Sequence, residues 1–342
     1  MTTEVDIKED DIWGRAPELL SILLKDHTLS SPTEQANIFW ATDDYAHLGK
    51  GYGYHDPILP SLITGENGNV IMPRILKHKD LQTARSKDMA EVFTPSWICN
   101  AQNNLIDEAW FGRANVFNHP EDHEDGTHSW TTHAGKITFP EDERKTWKNY
   151  VRANRLEITC GEAPYIVSRY DTTTGEPIDI PNRIGLLDRK LRIVSENTST
   201  SAEWLDMTQE AYKSIYAYEW QGDSLLLARE AMLISFIEYY KQKFGKMPLY
   251  KSVRYIAYII SWNVWQMDGQ RGVIPGSCHE NKTVSTSLFG EDEVQITPCM
   301  GCQRDDIKLH NGTYCLVKDW GATDPSTGKR GKRIRFIDLI KS

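Results

Sequence analysis

Four cysteines near the carboxyl end of the chain have a spacing that suggests metal chemistry. The two-residue spacing of Cys299 and Cys302 lets both thiolates reach one tetrahedral ion, and either His279 or His310 could replace an outer cysteine. The pattern predicts a structural zinc site that orders a loop-rich segment, with buried or free thiols as the alternative. The four cysteines are Cys278, Cys299, Cys302 and Cys315.

A second chemical signal lies between Arg155 and Tyr170, where an apolar run meets Cys160-Gly161 and apolar spacing then resumes. This pattern predicts a strand, a tight turn and the start of a helix. At such a junction in a parallel sheet, glycine allows a close backbone approach and helix N–H groups can bind a ligand. A nucleotide-like cofactor is therefore expected there.

This segment resembles the first motif of S-adenosylmethionine-dependent DNA methyltransferases of the amino type. Glu157, Thr159, Cys160 and Gly161 fit the motif, while Glu162 and Pro164 replace a small residue and a glycine. The resemblance implies that Glu157 and Gly161 hold the methionine region of S-adenosylmethionine.

Three other segments follow the order of the gamma type, which methylates adenine N6. Phe93-Thr94-Pro95 looks like the segment that covers the methionine end of the cofactor. Asp188 ends a short apolar run, and a carboxylate at the end of the second strand can accept hydrogen bonds from both ribose hydroxyls. Asp223 follows Gly222 after another such run, and the resemblance implies that it meets the cofactor adenine.

The sequence lacks a tetrapeptide that is typical of the family: Asp or Asn, two prolines and an aromatic residue. In the family it follows the fourth strand, holds the target amine and stacks on the flipped base. Asn263, with Trp265 or Trp262, is the first substitute, although the spacing of the apolar residues around it favours a buried helix. Asp43-Asp44-Tyr45 is the second, and its surroundings favour an edge strand followed by a polar loop.

The resemblance implies an S-adenosylmethionine-dependent adenine-N6 DNA methyltransferase, or the modification subunit of a restriction-modification system. Its partners would be DNA and a restriction endonuclease or specificity subunit. The alternative is a catalytically silent methyltransferase-like module that binds DNA or docks a partner, which the missing tetrapeptide motivates. A methyltransferase acting on RNA or a small molecule is a third hypothesis.

The net charge of this chain limits how it could bind DNA. The net charge of −9 argues against wrapping DNA with the whole surface. A local contact could come from the basic stretches at residues 74–87 and 329–335, although such stretches are more often solvated faces. The acidic start lacks a signal peptide and no apolar run reaches the roughly 18 residues that span a bilayer, so we expect a cytoplasmic protein without membrane contact. The six cysteines, without a secretion signal, favour reduced thiols or metal ligands over a disulfide framework.

Helical segments that alternate with short apolar runs predict an α/β fold with a parallel sheet, and the resemblance implies a Rossmann-like class I methyltransferase sheet. We expect an N-terminal helix and hairpin cap at residues 1–88, a cofactor-binding domain at residues 89–275 and a Cys-rich element at residues 276–342. Histidines in an insertion near residues 115–145 are more typical of a solvated loop than of a metal site. Ile58 to Ile75 reads as the hairpin, and the predicted helices are residues 12–27, 82–89, 98–109, 202–216 and 225–244.

Overall fold

The computed structural model describes residues 8–9, 12, 14, 16–77, 94–286 and 292–340. The predicted helix at residues 82–89 and Phe93 lie outside this part. The helices are α1 Pro17–Leu24, α2 Pro60–Ile63, α3 Ser96–Phe111, α4 Trp147–Arg152, α5 Leu186–Asn197, α6 Ser201–Lys213, α7 Gly222–Phe244, α8 Tyr250–Asn263 and α9 Met300–Arg304. The strands are β1 Lys25–Asp26, β2 Ala36–Asn37, β3 Asn118–Asp122, β4 His128–Thr132, β5 Arg155–Glu157, β6 Ile215–Glu219, β7 Val264–Gln266, β8 Asn281–Thr286, β9 Asp292–Thr297, β10 Leu316–Thr323 and β11 Arg330–Arg335.

The sheet that organises the molecule contains β5, β6 and β7 in that order, and all three strands are parallel. The other sheets among the described residues are two-stranded and antiparallel. The predicted mixed α/β class is thus confirmed. The described parallel sheet has three strands, about half of a complete doubly wound sheet, which has roughly six.

Long helices cover one face of this sheet. Helix α7 is buried along most of its length, from Leu225 to Tyr240, as expected for a helix that is apolar on several sides. It ends at Gly245, whose φ of 66° is the left-handed conformation that glycine adopts readily at a helix end. Helix α6 begins with a capping box formed by Thr200 and Glu203. The predicted helix at residues 225–244 is confirmed. The helix predicted at residues 202–216 is confirmed only as far as Lys213, since Ile215 and Tyr216 lie in β6.

The opposite face of the sheet is covered by the hairpin β10–β11. Tyr218 and Trp265 from β6 and β7 pack in one buried cluster with Val317, and Phe336 joins it from the end of β11. Tyr216 also faces the hairpin, because its hydroxyl donates a hydrogen bond to the Lys318 carbonyl at 3.1 Å. The two faces of β6 are therefore buried by different layers, which agrees with the near-continuous apolar composition of a central parallel strand.

The predicted hairpin between Ile58 and Ile75 is wrong. Leu62 and Ile63 lie in α2, which starts at Pro60, a residue that suits the first helical position. Val70 and Ile71 lie in a bend and Met72 in a loop, so none of the three is in a strand. The extended residues before α2 pair instead with an earlier segment, because Pro57 bridges Phe39. Apolar runs this short have no periodicity that distinguishes a helix from a strand.

Helix α3 confirms the helix predicted at residues 98–109, and α1 confirms the central part of the one predicted at residues 12–27. The insertion near residues 115–145 contains the β3–β4 hairpin, in which His128 pairs with Asp122 at 2.7 Å. Within the described part of the chain, no helix combines the length and hydropathy needed to cross a membrane.

Candidate metal centre and ligand crevice

The loop after β5 has an unusual backbone. Thr159, Gly161 and Ala163 have φ values of 46°, 54° and 60°. Left-handed backbone in residues other than glycine costs roughly 1–3 kcal/mol each and concentrates at binding sites. A Cβ placed on Gly161 would meet no other atom within 4 Å, so the space in front of this residue is open. The predicted strand and turn are confirmed, but the next helix is α5, which starts only at Leu186.

Two carboxylates lie at the carboxyl ends of adjacent strands beside this loop. Glu219, the last residue of β6, accepts hydrogen bonds from the backbone N–H groups of Gly161 at 2.8 Å and Trp220 at 2.9 Å. Glu157, the last residue of β5, has a buried Oε2 atom without a hydrogen-bond partner among the described residues. Burial raises the pKa of both groups, and the nearby charge of Glu219 adds to the shift at Glu157.

Tyr165 joins the segment containing Thr94 and Pro95 to this loop. Burial raises the pKa of the Tyr165 hydroxyl, Thr94 lowers it and the charge of Glu157 raises it, so both residues lie near this side chain. Pro95 immediately precedes α3, and Asn103 on that helix donates to the Tyr165 carbonyl at 3.0 Å. The structure therefore brings together two segments that are about 60 residues apart in the sequence.

The prediction that Asp188 ends a second strand is wrong. Asp188 lies in the first turn of α5 with 1% of its surface exposed. Its Oδ2 atom accepts hydrogen bonds from the backbone N–H groups of Ser168 at 2.8 Å and Gly185 at 3.2 Å. Gly185 packs so tightly that an added Cβ would lie 2.2 Å from the Ile166 carbonyl oxygen. The apolar run before Asp188 is thus a compact turn into a helix.

The acid at the end of the second parallel strand is Glu219, which the sequence interpretation missed. Its position directly after the apolar run of residues 215–218 was the available signal. Asp223, four residues later, lies in the first turn of α7 and is fully buried. Its carboxylate accepts a hydrogen bond from the Tyr45 hydroxyl at 2.7 Å and pairs with Lys77 at 3.2 Å.

Asn263 and Trp265 serve the packing of the fold. The Asn263 amide nitrogen donates to three carbonyls at the end of α6 and the start of β6, at 2.9 to 3.2 Å, and its oxygen accepts from the Trp320 indole at 2.8 Å. Trp265 is 5% exposed, and its indole nitrogen contacts Met267 Sδ. The buried-helix interpretation is confirmed as far as Asn263, which ends α8, whereas Trp265 lies in β7.

We expect Asn263→Ala to lower the free energy of unfolding by about 2–3 kcal/mol, because buried carbonyls and the Trp320 indole would lose their partner. Urea denaturation followed by circular dichroism measures this loss. The matched control is Asn149→Ala, which removes one exposed hydrogen bond and should change stability by less than about 0.5 kcal/mol. Equal stability of both variants would contradict the structural role of Asn263.

Cys278, Cys299, Cys302 and His310 form a compact group. Their ligand atoms all lie within 4.8 Å of one another. Each thiol sulfur is 3.6 Å from His310 Nδ1, and the Cys278 and Cys302 sulfurs are 3.4 Å apart. A tetrahedral zinc ion with Zn–S bonds of about 2.3 Å requires ligand separations of roughly 3.5–3.8 Å. The group could therefore hold a metal such as zinc.

Cys315 is not part of this group. It is fully buried, and its thiol donates to the Gln266 carbonyl at 3.3 Å. Residue 315 immediately precedes β10, and its backbone N–H donates to the Gly272 carbonyl. The Cys315 side chain therefore packs in the buried cluster between the β10–β11 hairpin and the sheet. His310, one of the two histidines considered as replacements, completes the set.

Local structure places the four ligands at the base of a hairpin. Cys278 precedes β8 and Cys299 follows β9, while Cys302 lies in the first turn of α9. Gly301 allows His310 to approach, because an added Cβ would lie 2.6 Å from its Nδ1. Burial opposes ionisation of Cys299, but backbone N–H groups, the Cys278 thiol and His310 hold its pKa at about 6. A thiolate is the form that binds metal.

The segments that carry the Cys and His ligands are hydrogen-bonded to the loop that follows β7. The Ser277 hydroxyl accepts from the Thr313 N–H at 3.1 Å, and Ile274 donates to the Thr313 carbonyl. A metal ion would therefore fix both the hairpin and the loop that leaves the sheet. Comparisons of this chain with protein-family models, with curated proteins and with solved structures found no match.

Proposed function

We propose that this chain binds S-adenosylmethionine at the carboxyl end of β5–β6–β7. It would serve as an adenine-N6 DNA methyltransferase or as the modification subunit of a restriction-modification system. The observation that carries the proposal is the strained loop at Thr159, Gly161 and Ala163. Ligands of open α/β sheets bind outside the carboxyl ends of the strands, and this loop lies at that end.

The side chains around the loop match the parts of such a cofactor. Glu219 replaces Asp188 as the candidate for the ribose, because a carboxylate at the end of the second strand can accept from both hydroxyls. The unpartnered Oε2 of Glu157 suits a donor such as the methionine amino group, since a buried acceptor without a partner is costly. Thr94 and Glu157 both lie near the side chain of Tyr165. Asp223 remains the candidate for the adenine end, although its carboxylate is already paired with Lys77.

The reaction requires little covalent chemistry from the side chains of the protein. The sulfonium of the bound cofactor supplies an already activated methyl group, so the protein must hold the acceptor amine in line and exclude water. The Cys and His group has four protein ligands, which is typical of a closed structural zinc site and not of a catalytic one. Its proposed role is to order the hairpin and the loop after β7.

The catalytically silent module remains the second candidate. It is favoured by the structural roles of Asn263 and Trp265, which leave the described residues without the first substitute for the base-binding tetrapeptide. A silent module would bind the cofactor or DNA and transfer no methyl group under any condition.

Calorimetric titration with S-adenosylmethionine tests the proposal. We expect one site per chain, and we expect Glu219→Gln to weaken binding roughly 10- to 100-fold, because hydrogen bonds to a charged group contribute about 1.5–3 kcal/mol. Glu143→Gln, a change of the same kind at an exposed position, should leave the affinity unchanged. No detectable binding by the unaltered chain would remove the proposed function.

A further inference from the structure

The β10–β11 hairpin is a positively charged element in a negatively charged chain. Between Leu316 and Arg335 the sequence has six basic and two acidic residues, whereas the whole chain has a net charge of −9. Affinity for nucleic acid comes largely from Lys and Arg side chains that neutralise phosphates. A basic hairpin on an acidic protein is therefore a candidate surface for a polyanion.

Four cations of this hairpin are exposed and form no ion pair within the part of the chain that the structure describes. They are Lys329, Arg330, Lys332 and Arg333. The other two basic residues of the hairpin have partners, since Arg335 pairs with Asp338 at 2.8 Å and the Lys318 ammonium donates to the Tyr258 hydroxyl at 2.6 Å. Four positive charges are thus available to an external anion.

The two acidic side chains of the hairpin bind its own backbone. Asp324 Oδ1 accepts hydrogen bonds from the Ser326 N–H at 2.8 Å and from the Ser326 hydroxyl at 2.6 Å. Asp319 Oδ1 accepts from the backbone N–H groups of Gly321 at 2.9 Å and Ala322 at 3.2 Å. These carboxylates shape the turn and the strand, and they leave the four cations without a salt bridge.

The cations lie on both faces of the two-stranded ribbon. Lys332 and Arg333 are consecutive in an unbroken part of the ladder, opposite Asp319 and Lys318. Side chains alternate along a strand, so Lys332 and Arg333 project from opposite faces. A flat anionic surface such as a membrane would contact one face, whereas a groove has phosphates along both walls. The major groove of B-DNA, about 12 Å wide, admits a two-stranded ribbon.

The other basic stretch of the sequence, residues 74–87, has less support as a contact for DNA. Lys77 is 8% exposed and pairs with the buried Asp223 at 3.2 Å. Residues 78–87 lie outside the described part of the chain. The hairpin is therefore the better supported of the two basic stretches.

We propose that the β10–β11 hairpin enters the major groove of duplex DNA and that its four unpaired cations neutralise phosphates on both walls. Phosphate contacts position a duplex and carry no sequence information directly, so the binding depends strongly on salt and little on sequence. This inference goes beyond the proposed function, because it depends on the charge and shape of the hairpin and needs no cofactor.

Fluorescence anisotropy with a labelled DNA duplex of mixed sequence tests this surface, with the full chain and without S-adenosylmethionine. Four phosphate contacts predict a slope of about −3 to −4 for log affinity against log salt concentration. The variant with glutamine at positions 329, 330, 332 and 333 should lose roughly one unit of slope for each cation and bind at least about 100-fold more weakly at low salt.

The matched control removes the same charge from four exposed cations outside the hairpin. These residues, also replaced by glutamine, are Lys136, Arg144, Lys148 and Lys246. This control should bind within about threefold of the unaltered chain, because charges more than a Debye length from the phosphates are largely screened. Circular dichroism checks that both variants are folded.

Two other polyanions test the shape of the surface. The major groove of A-form RNA is deep and too narrow for side chains to read, so an RNA duplex of the same sequence should bind at least about 10-fold more weakly than the DNA duplex. Vesicles of phosphatidylcholine and phosphatidylserine should also bind more weakly than DNA, since a flat surface contacts the cations of one face.

Four results would overturn the inference: no binding of the DNA duplex by the unaltered chain, unchanged affinity of the hairpin variant, an equal loss in the control variant, or binding of RNA or vesicles as tight as that of DNA. DNA binding without cofactor binding in the calorimetric titration would remove the proposed function and leave this surface. Cofactor binding without DNA binding would remove the surface and leave the cofactor site, so the two failures are distinguishable.

Discussion

Replacing Cys299 with alanine is expected to prevent zinc binding by this chain, whereas replacing Cys315 with alanine is not. Cys299 lies within the four-ligand group, and Cys315 lies in the buried cluster between the hairpin and the sheet. Structural zinc sites in small peptides contribute roughly 10–16 kcal/mol of binding free energy, and loss of one of the four ligands removes a large part of it.

Elemental analysis after dialysis against a competing chelator measures the difference. We expect about one zinc per chain for the unaltered protein and for Cys315→Ala, and well below one for Cys299→Ala and for His310→Ala. Cys315→Ala should lower the stability slightly through the lost burial of its side chain. Loss of zinc from Cys315→Ala with retention by His310→Ala would show that the ligand set is the wrong one.

The largest stability effect is expected at a buried ion pair outside the Cys and His group. Arg189 and Asp107 are each 1% exposed, and their nearest charged atoms are 2.5 Å apart. Tyr150 also donates to Asp107 at 2.7 Å, and Asn100 accepts from Arg189 at 2.8 Å. Asp107→Ala would leave the guanidinium buried without its counter-charge, and we expect the free energy of unfolding to fall by about 3–5 kcal/mol.

Urea denaturation tests this prediction against an exposed pair of the same chemistry. Arg152 pairs with Glu210 at 3.1 Å, with 51% of the Arg152 side chain exposed. Glu210→Ala should therefore change the stability by less than about 1 kcal/mol. Adding Arg189→Met to Asp107→Ala should recover part of the loss, because the uncompensated buried charge is removed. A double variant less stable than Asp107→Ala would contradict this explanation.

Local signals in the sequence determined several elements of this fold. The apolar spacing that predicted a helix through residues 225–244 is present in α7, which runs from Gly222 to Phe244. Such periodicity, together with caps like that of Thr200, depends on residues within one or two turns of each other. The pairing of Cys299 with Cys302 is equally local, since two residues of separation place both thiolates near one point.

The fourth candidate metal ligand and the acid at the end of the second parallel strand were decided by the tertiary structure. Cys315 and His310 are equally plausible ligands by spacing, but pairing of residues 313–315 with the loop after β7 buries Cys315 against Gln266 and leaves His310 beside the other ligands. Asp188 and Glu219 both follow apolar runs. Only the fold shows that the run before Asp188 is a turn packed against Ile166, whereas the run before Glu219 is a strand of the parallel sheet.

The same distinction applies to Asn263. Asn263 looked like a base-binding residue because it ends an apolar run, but its amide binds carbonyls about 50 residues away in the chain. A sequence determines which short segments become helices or strands through neighbouring contacts. Which segments lie side by side depends on contacts between residues far apart in the chain.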